Sequence, residues 1–592
     1  MPLNPSPKQL ITDNLDIWTA AIEQKSTAGR GSSKKYSLHG IKKLRELILE
    51  LAVRGKLVPQ DPNDEPAFIL LDRIATEKAQ LIKDKKIKKQ KPLPEIREDE
   101  KPFELPNGWE WCRLGESTDY GVCDKAESSD VTSETWVLEL EDVEKATSKL
   151  LKKIRYKDRE FKSSKNRFNE GDVIYGKLRP YLDKVLIADE AGVCTTEMIP
   201  IKSYGDLIAE YLRLIMKSPY FIVYANESTH GMNLPRMGTD KARMALLALA
   251  PLQEQHRIVA KVDELMSLCD ALEAQTESSI SAHQTLVTTL LDALLLPTGD
   301  SSSTGGDFQD NWQRISEHFD TLFTTTASID ALKQTILQLA VMGKLVPQDP
   351  NDELASKLLE RIAAEKAQLI KDKKIKKQKP LLEITEDEKP FELPEGWEWV
   401  RFGILFKSFS NGLYKPAKFY TDAGVISLRM YNIQNGCIDF NAAKRVEVVS
   451  KELEQFTLEA GDLLINRVNS KELVGKTAII PKTEEPLVYE SMNMRAKPFK
   501  RFLSSEYLNL FMMTGIAQES ISAFAKEAIG QASINQGQVN SIKTPLPPLE
   551  EQHRIVSKID ELMALCDSLK ARLTDAQTTQ QHLADALVKE AL

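Results

Sequence analysis

The sequence predicts an α+β protein: two globular mixed α/β domains joined by long antiparallel coiled-coil helices, with approximate two-fold symmetry. Three observations carry this expectation. The segment Leu44–Arg113 recurs as Leu332–Arg401, with 56 of 70 positions identical. A shorter segment, Pro251–Leu272, recurs as Pro548–Leu569, with 17 of 22 identical. Between these copied frames lie two segments of similar length, roughly 114–250 and 402–547, that share little sequence. A solenoid would need more copies of a shorter unit. Copied frames supply the same contacts twice, whereas divergent inserts are free to differ, so the inserts are expected to carry specificity.

The longer repeat opens with an amphipathic helix, Ile41–Val53 in the first copy, that ends near Gly55. The turn PQDPND at 59–64 follows, then a second helix from about Ala67 into the lysine run Lys83-Asp84-Lys85-Lys86-Ile87-Lys88-Lys89. That run has two readings: phosphate contact, or a solvated helix end that complements the C-terminal dipole. A Pro-rich acidic stretch, 92–106, leads into the insert, and each copy closes on a tryptophan pair, Trp109/Trp111 and Trp397/Trp399.

The shorter repeat begins a heptad seam. In the first copy it runs through Ile258, Val262, Leu265, Cys269 and Leu272, then Thr276, Ser279, His283, Leu286 and Leu290. The second copy gives Ile555, Ile559, Leu562, Cys566 and Leu569, then Leu573, Ala576, Gln580, Leu583 and Leu587. Pro251 and Pro548 precede the helices, and Pro297 ends the first, before a Gly/Ser loop at 298–307. His256 and His553 have no second ligand at metal spacing, so a structural role is expected for both. The resulting division is a helical repeat region at 1–103, a first insert domain at 104–250, a central coiled-coil spacer at 251–391, a second insert domain at 392–547 and a terminal helix at 548–592.

Composition excludes several classes. No apolar run approaches the ~18 residues a membrane span needs, and the N-terminus lacks the basic and apolar regions of a signal peptide, so cytoplasmic residence is expected. The six cysteines form no CxxC pair, which argues against zinc or redox chemistry. Gly171-Asp172-Val173-Ile174-Tyr175-Gly176-Lys177 fits the phosphate-binding G-x-x-x-x-G-K pattern, but Leu178 stands where a magnesium-holding hydroxyl belongs. A turn into a β-strand is the better reading. No dinucleotide, metalloprotease, hydrolase or adenine-methyltransferase motif is present, so no metal or catalytic residue is assigned. The net charge of −8 does not point to a general nucleic-acid binder, although local patches matter more than the sum.

Both inserts are rich in residues that hydrogen-bond base edges: Arg or Lys to guanine, Asn or Gln to adenine. The candidates in the first are Lys165, Arg167, Lys177, Arg179, Tyr181, Lys184, Asn233, Arg236, Lys241 and Arg243. In the second they are Tyr414, Lys415, Arg429, Tyr431, Asn432, Arg467, Asn469, Lys471, Lys476, Gln531, Ser533, Asn535 and Gln536. The bland alternative, that each is an ordinary polar loop residue, holds better for single residues than for the group.

The order of frames and inserts, the stretch PLPPLEEQHRIVSKIDELMALCD at 545–567 and GDVIYGKLRPYLDK at 171–184 resemble the specificity subunits of type I restriction–modification enzymes, in the subgroup with long near-identical repeats. The resemblance covers the whole chain. It implies two target-recognition domains, each reading half of a bipartite, asymmetric site on double-stranded DNA, and helices that bind two methyltransferase subunits. Restriction/translocase subunits would complete the assembly. No cofactor is expected on this chain; S-adenosylmethionine, ATP and Mg would reside on the partner subunits. An acidic chain suits a subunit that shares its DNA contacts. One departure is ALAPLQEQ at 248–255 where the second copy has TPLPPLEEQ. The main rival is a non-enzymatic coiled-coil scaffold, which would not need two divergent inserts of matched length.

Overall fold

The computed structural model describes residues 7–24, 36–231, 234–295, 306–528 and 530–592. They fall into two compact units, Met1–Ser279 with Asp575–Leu592, and Ile280–Thr574. Each unit mixes helices with small sheets. Most of the expected Gly/Ser loop lies outside the described residues; its last two positions, Gly306 and Asp307, already begin the helix Gly306–Glu317.

In the first unit the frame helix His39–Val53 buries Leu44, Leu47, Ile48 and Leu51. It ends at Gly55, whose φ of +66° favours glycine; a Cβ there would sit 2.5 Å from the Pro106 ring. Gly343 repeats this in the second unit, with φ +70° and Pro394 at 2.3 Å. The second frame helices are Ala67–Lys83 and Ala355–Lys371. Both stop at the first lysine of the run, so the lysines lie beyond the helix rather than along it. Lys85 and Lys373 adopt a left-handed φ of 56°.

The insert starts and finishes on paired strands. Glu110–Arg113 runs antiparallel to Leu246–Leu249 in the first unit, and Glu398–Arg401 to Lys543–Leu546 in the second. Arg113, almost fully buried, donates to the carbonyls of Pro94 at 2.8 Å, Glu95 at 3.1 Å and Met244 at 2.9 Å, and pairs with Glu100 at 3.0 Å. Arg401 does the same with Leu382, Glu383, Ser541 and Glu388. Each insert is therefore a closed excursion whose two ends are held side by side by frame contacts.

The two largest sheets of each insert correspond. In the first, Val173–Gly176 sits between Met198–Ile201 and Val185–Ile187, all antiparallel. Its counterpart, Leu463–Asn466, sits between Asn493–Pro498 and Thr477–Ile479, with Phe406–Asn411 added at the edge. The G-x-x-x-x-G-K stretch is a turn, with Gly171 at φ +86°, into the buried strand Val173–Gly176. The other sheet contains one parallel pair in each unit: Trp136–Leu138 with Gly192–Cys194, and Val425–Leu428 with Leu487–Tyr489. Its third strand joins Gly192–Cys194 in the first unit but Val425–Leu428 in the second. The domains thus share a plan and differ in how it is completed.

The shorter repeat forms the helices Leu252–Leu295 and Leu549–Ala591. Their first turn is a clasp. Glu254 accepts the Trp109 indole N–H at 2.9 Å and the Gln60 amide at 3.0 Å. Glu551 accepts Trp397 at 2.9 Å and Gln348 at 3.1 Å. Burial pushes both carboxyls up, and the hydrogen bonds pull them back. Arg257 and Arg554 pair with Asp64 and Asp352 of the PQDPND turns at 2.6 and 2.7 Å. The first tryptophan of each pair, the turn and the helix start are thus one interlocked structure, made twice. His256 and His553, expected to be structural, face solvent; the neighbouring Glu, Gln and Arg make the contacts.

The seam holds at first and then shifts. Ile258, Val262, Leu265 and Cys269 are buried and Leu272 half-buried; so are Ile555, Ile559 and Cys566, with Leu562 and Leu569 half-buried. Farther along, Leu286 is 51% exposed and Val287 2%, while Leu583 is 42% exposed and Ala584 0%. From Ile258 to Val287, and from Ile555 to Ala584, is 29 residues, or eight turns of about 3.6. A strict heptad drifts about 20° per repeat from a straight helix. Over four heptads that becomes nearly the ~100° between neighbours, so the buried position moves on by one in both copies.

Candidate nucleic-acid interface

In the first unit the turn after Val173–Gly176 is carried against a hairpin far away in sequence, Thr229–His230 with Arg236–Met237. Leu178 bridges Arg236. The Arg179 N–H donates to Pro235 at 2.7 Å, and Met237 donates to the Lys177 carbonyl at 3.1 Å. This gathers Lys177, Arg179, Tyr181 and Arg236 into one cluster. Arg179 holds a left-handed φ of 53°, which is uncommon for any residue but glycine, and Tyr181 is 54% exposed. The Arg236 Nε donates to both Glu197 carboxylate oxygens at 3.0 Å. The short helix Thr239–Met244 follows, with Lys241 exposed and the Arg243 guanidinium 2.9 Å from the Gln90 amide oxygen.

The second unit repeats this assembly with other side chains. Val468 pairs with Ser533 and Asn469 with Ala532; Ile534 donates to the Arg467 carbonyl at 3.0 Å. The matching bonds make Arg467 the counterpart of Lys177, Asn469 of Arg179 and Ser533 of Arg236. Asn535 caps the short helix Gln536–Asn540 by accepting from Gln538. Gln536 reaches Asn411 at 2.9 Å. Lys471 and Gln531 are exposed, and Lys476 is half-buried, 3.4 Å from Gln434. A Cβ on Gly403 would meet the Asn540 side chain and one on Gly115 the Arg243 side chain, which matches those two positions as well.

Several buried polar atoms without a partner among the described residues fall on these matched positions: the Nε of Arg179, Arg467 and Arg243, and the Oδ1 of Asn540. Buried polar atoms are nearly always hydrogen-bonded in folded proteins, and these four are exceptions, closed off from solvent.

The remaining candidates divide. Tyr414 is 78% exposed, and Tyr431 is exposed with its hydroxyl 3.3 Å from the Ala442 carbonyl. Arg429 pairs with Glu490 at 2.9 Å and lies over the Tyr420 ring. Arg167 is exposed beside Asp130. Four others serve the fold. Asn432 is fully buried: it caps its turn by accepting from Arg429 N and donates to Asp439 O. Lys165 is buried against Glu139 and the Phe161 ring. Lys184 donates to Leu140 O at 2.6 Å, and burial lowers its ammonium. Lys415 is tied to Glu452 at 2.8 Å. Asn233 lies outside the described residues. Glu197, Glu490 and Gln90, which hold Arg236, Arg429 and Arg243, carried no signal in sequence, because each meets its partner across a fold contact.

Behind the first turn sits a buried ion pair. Lys217 donates to Asp183 Oδ2 at 2.6 Å, to the Ser148 hydroxyl at 2.7 Å and to Ala146 O at 3.0 Å. Burial raises the Asp183 carboxyl and lowers the Lys217 ammonium, and their pairing opposes both shifts. Truncating Lys217→Ala leaves a buried carboxylate with only the Arg213 guanidinium to offset its burial. The expected cost is about 3–5 kcal/mol, read from chemical denaturation of the first unit. Met513, at the matching position of the second unit, should tolerate Ala with only the smaller packing loss.

Among the described residues no cluster of three or more His, Cys, Asp or Glu could hold a metal, and no helix is long and apolar enough to cross a membrane. A frame built twice, each copy presenting an unlike polar cluster at matched positions, defines a duplicated scaffold protein with two divergent inserts. A family model for the type I restriction modification DNA specificity domain matches residues 394–576. The EcoAI specificity subunit of Escherichia coli is 44% identical over 601 residues, covering 99% of this chain and all of that protein. The EcoEI specificity subunit of Escherichia coli is 42% identical over 607 residues, covering 99% of each. A chain from a solved structure on complex assembly and conformational transition of the type I R-M system shares the fold. Its TM-score is 0.51 at 19% identity, covering 83% of this chain and 99% of that one. The chain belongs to the specificity subunits of type I restriction–modification enzymes, the subunits that recognise DNA sequence.

Proposed function

We propose that each insert reads one half of a bipartite, asymmetric DNA site, through the Lys177–Tyr181 turn with its hairpin in the first unit and through Arg467–Lys471 with Gln531–Gln536 in the second. The observation that carries this is the matched placement of unlike polar side chains on the same backbone pairings in the two inserts. Arginine or lysine makes bidentate bonds to guanine, and asparagine or glutamine to adenine. In this reading the chain holds no catalytic residue and binds no cofactor. It acts in the cytoplasm and positions two methyltransferase subunits, which bring S-adenosylmethionine. Restriction/translocase subunits bring ATP and Mg. Arg179→Ala in the assembled methyltransferase is expected to cost about 1–3 kcal/mol on cognate DNA and to relax selection at one base of one half-site. Binding assays on singly substituted duplexes test it. A loss equal on every duplex would make Arg179 a phosphate contact, and no loss would move the reading surface elsewhere.

A further inference from the structure

We propose that the two lysine segments, Lys83–Lys91 and Lys371–Lys379, are phosphate-binding arms, one beside each reading cluster, which hold DNA without regard to sequence. This rests on the reading clusters meeting DNA, and extends the contact to a surface outside both inserts.

The geometry frees the lysines. Each frame helix stops at the first of them, and Lys85 and Lys373 turn left-handed. Lys86 and Ile87 then fold back onto Leu81 O, and Lys374 and Ile375 onto Leu369 O. The isoleucine is half-buried, and the lysines around it are exposed. Among the described residues, Lys83, Lys85, Lys86, Lys88, Lys89 and Lys91 enter no ion pair, and in the second arm only Lys374 does, with Asp372 at 4.0 Å. Each arm carries six lysines against one aspartate on a chain of net charge −8. Only Lys83 and Lys371 lie in the last helical turn, and the other five lysines of each arm follow it.

The arm is also anchored to the reader. Gln90, inside the first arm, accepts from Arg243 of the short recognition helix at 2.9 Å. Just beyond it, Pro94 O and Glu95 O are held by Arg113 at the root of the insert. In the second unit Arg401 holds Leu382 O and Glu383 O. The stretch KDKKIKKQKP is identical in both copies, while the clusters beside it differ. A surface that is the same beside two unlike readers cannot discriminate bases. The feature two different half-sites have in common is the phosphate backbone.

The test replaces Lys85, Lys86, Lys88 and Lys89 with Gln in the full chain, assembled with its methyltransferase subunits, and measures DNA affinity against salt concentration. The slope of log K against log salt is expected to fall by about 2–4, since each phosphate contact contributes roughly 0.9. The loss should be equal on cognate, half-site-substituted and unrelated duplexes, and Lys→Arg at the same positions should restore the slope. An unchanged slope overturns the proposal. So does a failure to assemble with the methyltransferase at unaltered DNA slope, which would assign the arm to an acidic protein surface. Base discrimination, read on Arg179→Ala, reports on the reading clusters separately, so either reading can fail alone.

Discussion

A chain whose residues 114–245 are replaced by the matching insert of a relative is expected to direct methylation to a new sequence in one half of its site and the old sequence in the other. The reason lies at the root of the insert. Glu110–Arg113 and Leu246–Leu249 pair with each other, so the excursion begins and ends at one place. Arg113 ties that place to Pro94, Glu95 and Glu100 of the frame. Cutting inside the strand pair leaves these bonds intact, along with the Glu254 clasp on Trp109 and Gln60. The remaining links between insert and frame would set the cost, among them Tyr220 N on Glu50, Gly205 N on Glu77, Arg243 on Gln90 and the Tyr220 ring against Phe103 and Trp111. Lys78 donates to Gly115 O, and Gln255 receives Ile208 N. Methylome sequencing of a host carrying the chimera with its partner subunits gives the answer. A chimera that changed both halves, or neither, would show that the inserts do not read independently.

The repeats made the frame legible, because a copied segment must repeat its contacts: the Glu254 and Glu551 clasps, the Arg257 and Arg554 pairs and the two strand pairs all follow from that. The two polar clusters were legible only as composition. Lys177 and Arg236 are brought together by a bridge between distant segments, and nothing local to either announces the other. Asn432 was drawn in for its amide, yet that amide closes a turn by accepting from Arg429 N, a capping role that asparagine fills as readily as base contact. Lys165 and Lys184 look like free cations in sequence. Glu139 and Leu140 O, which hold them, come from a neighbouring strand end. Charge in a loop is visible in sequence, whereas its neutralisation by a non-local partner is not. The lysine arms were ambiguous for a different reason: helix propensity runs smoothly through KDKKIKK, and only the left-handed turn at Lys85 and Lys373 separates the run from the helix.

The shift in the long helices has a consequence for stability that separates two periods. A heptad places Leu286 in the seam, whereas a straight helix places Val287 there. Val287 packs with Leu291, Leu294, Ile315 and Phe323 in the second unit's core, and Leu286 is half in water. Val287→Asp is expected to lose the burial of the valine, about 1.5–3 kcal/mol. It also places a carboxylate among apolar groups with no cation to meet it, which adds several kcal/mol more. The sum is comparable to the whole stability of an ordinary domain, about 5–15 kcal/mol, so the second unit should unfold or fail to accumulate. Leu286→Asp removes a half-exposed leucine and leaves the charge solvated, for a cost of about 1 kcal/mol or less. The second helix supplies an independent pair, since Ala584 is fully buried and Leu583 is 42% exposed. Ala584→Asp should add overpacking to the charge, and Leu583→Asp should be tolerated. Denaturant midpoints of the four variants decide between the periods. Equal losses at Leu286 and Val287, or a greater loss at Leu286, would mean that the helix keeps the 3.5-residue repeat of a supercoil along its length.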